Sequence, residues 1–159
     1  RAVDMPLTEV ARVQAEDFAN QGGGSVQHRE DKVGADGACF SHWDDEGHWL
    51  EWTVRAKTAG EYWLVVRYCA IADVARQVEL DGKPLTDDPV QFPSTGGFSS
   101  EANDWAHAVA RDSTGKPLML SLSAGNHTVR MTNADGNGMN VDYLLLWPVE
   151  RPGVASARG

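Results

Sequence analysis

The chain is short of basic residues, short of cysteine and without any long apolar run. Its 14 Lys and Arg face 23 Asp and Glu, a formal charge of −9 over 159 residues. An acidic surface repels phosphate backbones and anionic headgroups, so charge recruits neither nucleic acid nor a membrane surface as a partner. No stretch of about 18 apolar residues offers a bilayer-spanning helix. Residues 1–9 lack the apolar centre of a signal peptide. Two cysteines, Cys39 and Cys69, are too few for a disulfide framework and define no compartment. They are expected either to form one bridge or, the preferred reading, to lie as two buried thiols in a β core.

Catalytic signatures are missing as well. There is no Gly-x-Ser-x-Gly elbow, no His-Glu-x-x-His and no Cys-x-x-Cys. His42 and His48 share a strand parity but are separated by the turn-like Asp44-Asp45-Glu46-Gly47, so solvated or satisfied histidines are the better reading than a metal pair. The adjacent acids Asp44/Asp45 and Asp87/Asp88 fall in turns, where carboxylates are solvated rather than paired for glycoside hydrolysis. A jelly-roll lyase or hydrolase would need an acid/base pair that is not evident. The chain is expected not to be an enzyme.

What the chain does have is turn residues and tryptophan. Sixteen Gly and seven Pro punctuate it, and six Trp outnumber four Phe and three Tyr. Its length suits one domain of the common size, about 100–200 residues. Leu50, Trp52 and Val54 alternate with Trp49, Glu51 and Thr53, the pattern of a half-buried strand. Residues 62–71 are apolar on both parities apart from Arg67, which predicts a central strand covered on both faces. Val78-Glu79-Leu80 leads into Asp81-Gly82, a two-residue hairpin signal. Leu118, Leu120 and Leu122 predict a further strand, as do Val129 and Met131 after the Ala124-Gly125-Asn126 turn, and residues 139–147 before Pro148. Residues 103–111 fit a helix or a strand about equally. Short strands with a turn every 8–12 residues predict an all-β jelly roll, a β-sandwich of two antiparallel sheets. Residues 10–149 are expected to form it, with linkers at 1–9 and 150–159.

Two groups of residues suggest binding. Trp43 ends a strand before the acidic turn, and Trp105 follows the long polar loop 93–103. Aromatic rings in such places stack on the C–H faces of sugars, although the same two residues would also serve to cap the ends of the sandwich. Asn140 on the last strand offers directional hydrogen bonds, and strict alternation puts it on the face of Asp142. Gln14, Glu16 and Asp142 are oxygen donors on the first and last strands, and calcium takes six to eight such oxygens. The alternative is a solvated acidic edge. Asn126-His127-Thr128 is a glycosylation sequon in a turn, of consequence only in a eukaryotic secretory host.

The segments resemble the carbohydrate-binding modules of families 6 and 35. The resemblance runs from Val10 to Val149 through Gln14-Ala15-Glu16-Asp17, Trp43-Asp44-Asp45-Glu46-Gly47-His48-Trp49-Leu50, Ala59-Gly60-Glu61-Tyr62 and Val66-Arg67-Tyr68. It continues through Val78-Glu79-Leu80-Asp81-Gly82, Pro93-Ser94-Thr95-Gly96-Gly97-Phe98, Leu122-Ser123-Ala124-Gly125-Asn126-His127-Thr128 and Met139-Asn140-Val141-Asp142-Tyr143.

The resemblance implies a galactose-binding-like jelly roll that binds a polysaccharide or oligosaccharide without altering it. It also implies attachment to the catalytic domain of a larger secreted enzyme, extracellular or periplasmic, the isolated module being a monomer. In such modules two aromatic rings flank a terminal sugar and an Asn of the last strand hydrogen-bonds to it. Trp43 and Asn140 match the first ring and the Asn. A Trp usually follows Thr-Gly-Gly, where this chain has Phe98. The second ring is therefore assigned to Trp105, beyond an inserted Ser-Ser-Glu-Ala-Asn-Asp, with Phe98 as a core residue. Glu101, Asn103 or Asp104 would help to orient the sugar. The resemblance further implies a structural calcium ion at Gln14, Glu16 and Asp142, with Gln14 standing where a carboxylate is usual. Neutral glycans are the expected ligands, because the acidic chain would take uronic acids only if calcium or Arg76 faced the site. The competing expectation is an architectural β-sandwich packed against a neighbouring domain, with Trp43 and Trp105 in that contact and no glycan bound.

Overall fold

The computed structural model describes residues 10–149, so the expected linkers at 1–9 and 150–159 lie outside the described residues. Two antiparallel sheets face one another. Strands are numbered in chain order: β1 Ala11–Gln14, β2 Asn20–Gly22, β3 Gln27–Arg29, β4 Cys39–Ser41, β5 Trp49–Ala56, β6 Gly60–Cys69 and β7 Val74–Leu80. They continue as β8 Lys83–Pro84, β9 Val90–Phe92, β10 Ala106–Val109, β11 Leu120–Leu122, β12 Gly125–Asn133 and β13 Asn140–Pro148. The first sheet runs β10-β6-β13-β4-β3, with β1 beside β13 and β11 beside β6; the second runs β2-β5-β12-β7-β8, with β9 beside β7. Among the described residues, no helix is long and apolar enough to cross a membrane.

The sequence pattern explains these elements. β5 buries Leu50, Trp52, Val54 and Ala56 and leaves the alternate residues outside, as its period of two requires. Asp81 (φ 50°) and Gly82 (φ 85°) supply the two left-handed residues of a hairpin turn between β7 and β8. The ambiguous stretch after Asn103 forms the strand β10, because it pairs with β6 from Ala106↔Tyr68 to Val109↔Val65. Between the sheets lie Tyr62, Leu64, Val66 and Tyr68 of β6, Val129 and Met131 of β12, and Leu144 and Leu146 of β13. Trp52 is the expected core tryptophan: it is wholly buried, and its indole N–H donates to the Ala15 carbonyl at 2.9 Å.

β13 is the central strand of its sheet and carries one irregularity. Val141 pairs with Tyr68 and Tyr143 with Arg67, which leaves Asp142 as an extra bulged residue. Bulges re-aim side chains. Here the simple alternation that would put Asn140 and Asp142 on one face is broken. β13 also separates the two cysteines, since Cys69 on β6 and Cys39 on β4 flank it. Two strand spacings put them about 10 Å apart, beyond the reach of a disulfide. Both are free buried thiols, and burial above all pushes Cys39 up to about 12 and Cys69 up to about 11.

Candidate functional site

Five connections gather at one end of the sandwich: residues 30–38, 42–48, 70–73, 93–105 and 134–139. They are tied together by Val33 N–H to the Ser99 carbonyl, Thr95 N–H to the Ala70 carbonyl and Gly47 N–H to the Asn133 carbonyl, each at 2.8 Å. Among them opens a cavity of about 150 Å³ lined by Lys32, Ser41, His42, Asp44, Phe98, Ser100, Gly138 and Asn140. Gly138 lies between Phe98 and Asp44, where a Cβ would be in contact with both, 3.4 Å from the Phe98 ring and 3.6 Å from the Asp44 Cβ. Asn140 is 2% exposed and donates from Nδ2 to the Phe98 carbonyl at 3.0 Å. That bond fixes the amide plane and leaves Oδ1 to accept.

Trp43 is not at this cavity. It is wholly buried, edge-on to Phe40 and to Trp52 with centroids 5.9 and 6.3 Å away. Its indole N–H donates to the His48 carbonyl at 3.0 Å, and no ring face is free to stack on a sugar. The expected stacking role, and equally a role in an interdomain contact, is corrected to a core role. The cause is one residue upstream. His42 has φ 68°, which turns the chain so that His42 points outward into the cavity and Trp43 inward. Ser41 Oγ, 2.8 Å from His42 Nδ1, holds the ring. Nothing in the sequence signals this reversal beyond the tolerance of His for left-handed backbone.

His48 also departs from His42. It is wholly buried and its Nε2 lies 2.9 Å from Gln21 Oε1. Burial holds its pKa below the ordinary histidine value, and it does not line the cavity that His42 enters. Arg76 does not face the cavity either, being wholly buried beneath Trp43.

The aromatic assignment after Thr-Gly-Gly is reversed. Phe98 is half-buried and lines the cavity, whereas Trp105 lies outside it. The Trp105 indole N–H donates to the Val33 carbonyl at 2.9 Å, and Arg67 lies 5.5 Å from its ring centroid. Glu101, Asn103 and Asp104 do not line the cavity. Asp104 is committed to Ser99, accepting its N–H at 3.0 Å, and Asn103 Oδ1 accepts the Trp105 N–H at 3.1 Å. Lys32 and Ser100 escaped the sequence reading, and His42 and Asp44 were read there as solvated, because loop folding, not spacing, brings the four together.

A second feature joins the first and last strands. Gln14 Nε2 lies 3.2 and 3.5 Å from the two Glu16 carboxylate oxygens, 3.3 Å from the Asp36 carbonyl and 3.2 Å from the Ala38 carbonyl. An amide NH₂ has two protons for these four oxygens, so the group is an oxygen cradle richer in acceptors than its nitrogen can serve. Asp142 is wholly buried nearby. Its Oδ2 accepts from Arg67 at 2.6 Å and from the Asp36 N–H at 3.0 Å, while Oδ1 has no partner. After burial itself, the charges of Asp142 and Glu16 add to what raises the Cys39 thiol, so both carboxylates lie close to it. Among the described residues no group of three or more His, Cys, Asp or Glu gathers for a metal. An ion here would depend on the Asp36 and Ala38 carbonyls beside two carboxylates, a hard donor set that suits calcium, and on the Gln14 oxygen only if the amide turned away from Arg12 Nε, from which it accepts at 3.0 Å.

No protein-family model matches the chain, and no curated protein matches it. Solved structures do. A family 35 carbohydrate-binding module from Clostridium thermocellum is 24% identical with a TM-score of 0.69, the match covering 88% of this chain and 98% of that one. The module CsCBM6-3 from Clostridium stercorarium, solved in complex with cellobiose, is 18% identical with a TM-score of 0.64, covering 87% and 93%. The GH26-CBM35 β-(1,4)-mannanase of Podospora anserina is 23% identical with a TM-score of 0.67, covering 91% of this chain and 29% of the enzyme. With two antiparallel sheets in the same arrangement over most of its length, the chain has the β-sandwich fold of the family 6 and family 35 carbohydrate-binding modules.

Proposed function

We propose that this chain is a non-catalytic carbohydrate-binding module and that the loop-end cavity is its sugar site. The carrying observation is the cavity's composition: one aromatic side chain, Phe98, together with polar groups from Lys32, His42, Asp44, Ser100 and Asn140. A sugar presents one apolar C–H face and a rim of hydroxyls, and such a pocket matches both. Asn140 orients the sugar through Oδ1. A neutral hexose unit of a polysaccharide or oligosaccharide fits a cavity in which the Lys32 and Asp44 charges offset one another. Affinity is modest, because one ring buries little apolar area and many hydroxyls must be desolvated.

The module's task on this reading is to hold an attached catalytic domain, secreted or periplasmic, to its polysaccharide. That architecture is supported by the mannanase, of which a like module forms part. Gln14, Glu16 and Asp142, with the Asp36 and Ala38 carbonyls, would hold a structural calcium ion. Its charge would balance carboxylates that join the first strand to the last.

Calorimetric titration against cello-, manno-, xylo- and galacto-oligosaccharides tests the sugar site. Phe98→Ala and Asn140→Ala should each weaken binding at least tenfold, and Trp43→Phe should keep it. Undiminished binding in both Phe98→Ala and Asn140→Ala would sink the assignment.

A further inference from the structure

The long loop after Phe98 closes on itself. Ser99 N–H donates to Asp104 Oδ2 and Asp104 N–H to Ser99 Oγ, both at 3.0 Å. Ser99 is wholly buried with φ 57°, a backbone conformation costly for a non-glycine residue. Gly97 permits the closure, since a Cβ there would lie 2.5 Å from Asp104 Oδ2. The closed loop faces residues 32–34, where each residue is held by a different group. Lys32 Nζ donates to Ser100 Oγ at 2.9 Å. Val33 gives its N–H to the Ser99 carbonyl at 2.8 Å and receives the Trp105 indole N–H at 2.9 Å. The Gly34 carbonyl accepts from Arg67 Nη1 at 2.8 Å.

Trp105 therefore spends its only polar group on the peptide next to a cavity residue, and its ring lies outside the cavity. We propose that Trp105 is a positioning residue: it holds the strap of residues 32–34 so that Lys32 and Ser100 form one wall of the cavity, and it does not touch the sugar. The proposal rests on the reading of the cavity as the sugar site. Its physical basis is short-range. The Val33 carbonyl and the N–H that Val33 shares in a peptide with Lys32 hang on one Cα, held about 3.8 Å from the Lys32 Cα, so displacing Val33 displaces Lys32. Arg67 holds the other side of the strap, and on the side of the inserted loop the indole bond is the tie to the Val33 carbonyl, beside the Val33 N–H bond to Ser99 and the Lys32 bond to Ser100.

The experiment is a double-mutant cycle in sugar affinity, using the oligosaccharide that the wild-type protein binds best in the titration above. The variants are Trp105→Phe, which keeps a ring but loses the N–H, Lys32→Met, and the two together. Trp105→Phe should weaken binding about three- to tenfold, the size of one net hydrogen bond. The double variant should bind no more weakly than Lys32→Met alone. Losses that multiply in the double variant would show Trp105 acting on the sugar by itself and overturn the proposal, as would an unchanged affinity in Trp105→Phe. If the wild-type protein binds none of the oligosaccharides, the sugar-site reading falls and this proposal falls with it.

Discussion

The guanidinium of Arg76 lies 4.1 Å from the centroid of the Trp43 ring, with both side chains wholly buried. Its Nη2 donates to the Trp43 carbonyl at 3.0 Å and to the Asn137 carbonyl at 2.8 Å, and Nη1 to the Ala75 carbonyl at 2.9 Å and to Asp135 at 3.4 Å. Burial lowers the Arg76 pKa to about 10, with Asp135 acting the other way, so the group stays charged at neutral pH. A buried cation thus ties β7 to two of the loops around the cavity.

Arg76→Ala is expected to cost about 3–5 kcal/mol, because carbonyls and a carboxylate lose their partner inside the protein. Arg76→Lys should recover little, since one ammonium nitrogen cannot stand both where Nη2 serves the Trp43 and Asn137 carbonyls and where Nη1 serves the Ala75 carbonyl and Asp135. Urea-unfolding midpoints measure both. A loss below about 1 kcal/mol for Arg76→Ala, the scale of an exposed pair, would contradict this role.

His42→Gly separates stability from binding. A left-handed conformation costs about 1–2 kcal/mol for a residue with a Cβ and nothing for glycine, which instead loses more chain entropy. The variant should unfold at the same denaturant concentration as wild type or a higher one. It should also bind sugar more weakly, having lost a ring that lines the cavity. A variant that is less stable by more than 1 kcal/mol, on the scale of the entropy cost of glycine, would argue that His42 is there for the fold.

At the opposite end, Asp81 Oδ2 lies 2.7 Å from His127 Nδ1, and His127 Nε2 lies 2.8 Å from the Ser123 carbonyl but 3.4 Å from Ser123 Oγ. The order Asp–His–Ser is that of a hydrolase triad. Here the second ring nitrogen serves a carbonyl, which can only accept. Once protonated, the imidazole donates on both sides and has no lone pair for a hydroxyl proton. The Asp81 hydrogen bond raises the His127 pKa above its ordinary 6.5, followed by the Ser123 carbonyl. Asp81 is pushed up by burial, but the His127 bond and the Thr128 N–H outweigh this and leave it below its ordinary 3.8.

A raised histidine contributes stability that is complete below about pH 6.5 and is lost as pH rises through its folded value. A lowered carboxylate contributes stability that is present above about pH 3.8 and is lost as pH falls through its folded value. The pair therefore helps most between these limits. His48 and His107 have lowered values and act with the opposite sign. The clean measurement is thus the difference in melting temperature between wild type and His127→Gln. That difference should shrink from pH 5.5 to pH 8.5, and a constant difference would refute the linkage.

Calcium should raise the melting temperature by mass action, about 2.7 kcal/mol of stability at one hundred times its dissociation constant. Chelator should reverse the shift, and Asp142→Asn should abolish the response. An equal calcium response in wild type and Asp142→Asn would remove Asp142 from the ligand set.

The strands were legible in the sequence because alternation is a local property: Trp52 faces inward since its neighbours at i±2 are apolar, and the Asp81-Gly82 pair dictates its own turn. The motif order from Gln14 to Tyr143 was enough to anticipate the sandwich. Asn140 could be placed beside the loop end because its position follows from strand β13. The neighbouring pair His42 and Trp43 could not be resolved in this way. One left-handed residue exchanges which of the two faces outward, and residue type scarcely encodes it.

The aromatics of the long loop were undecidable for a related reason. Whether Phe98 or Trp105 meets the cavity depends on where the Ser99–Asp104 closure and the Val33 carbonyl lie in space. These partners stand 72 residues apart in the case of Trp105 and Val33. The sequence by itself determined an acidic, turn-rich, all-β sandwich with Trp52 in its interior, because composition and period act through nearest neighbours. Only the tertiary structure decided that Trp43 is core, that Trp105 is a tie and that His42 and Phe98 border the cavity. Loop side chains take their directions from hydrogen bonds that exist only once the sheets have closed.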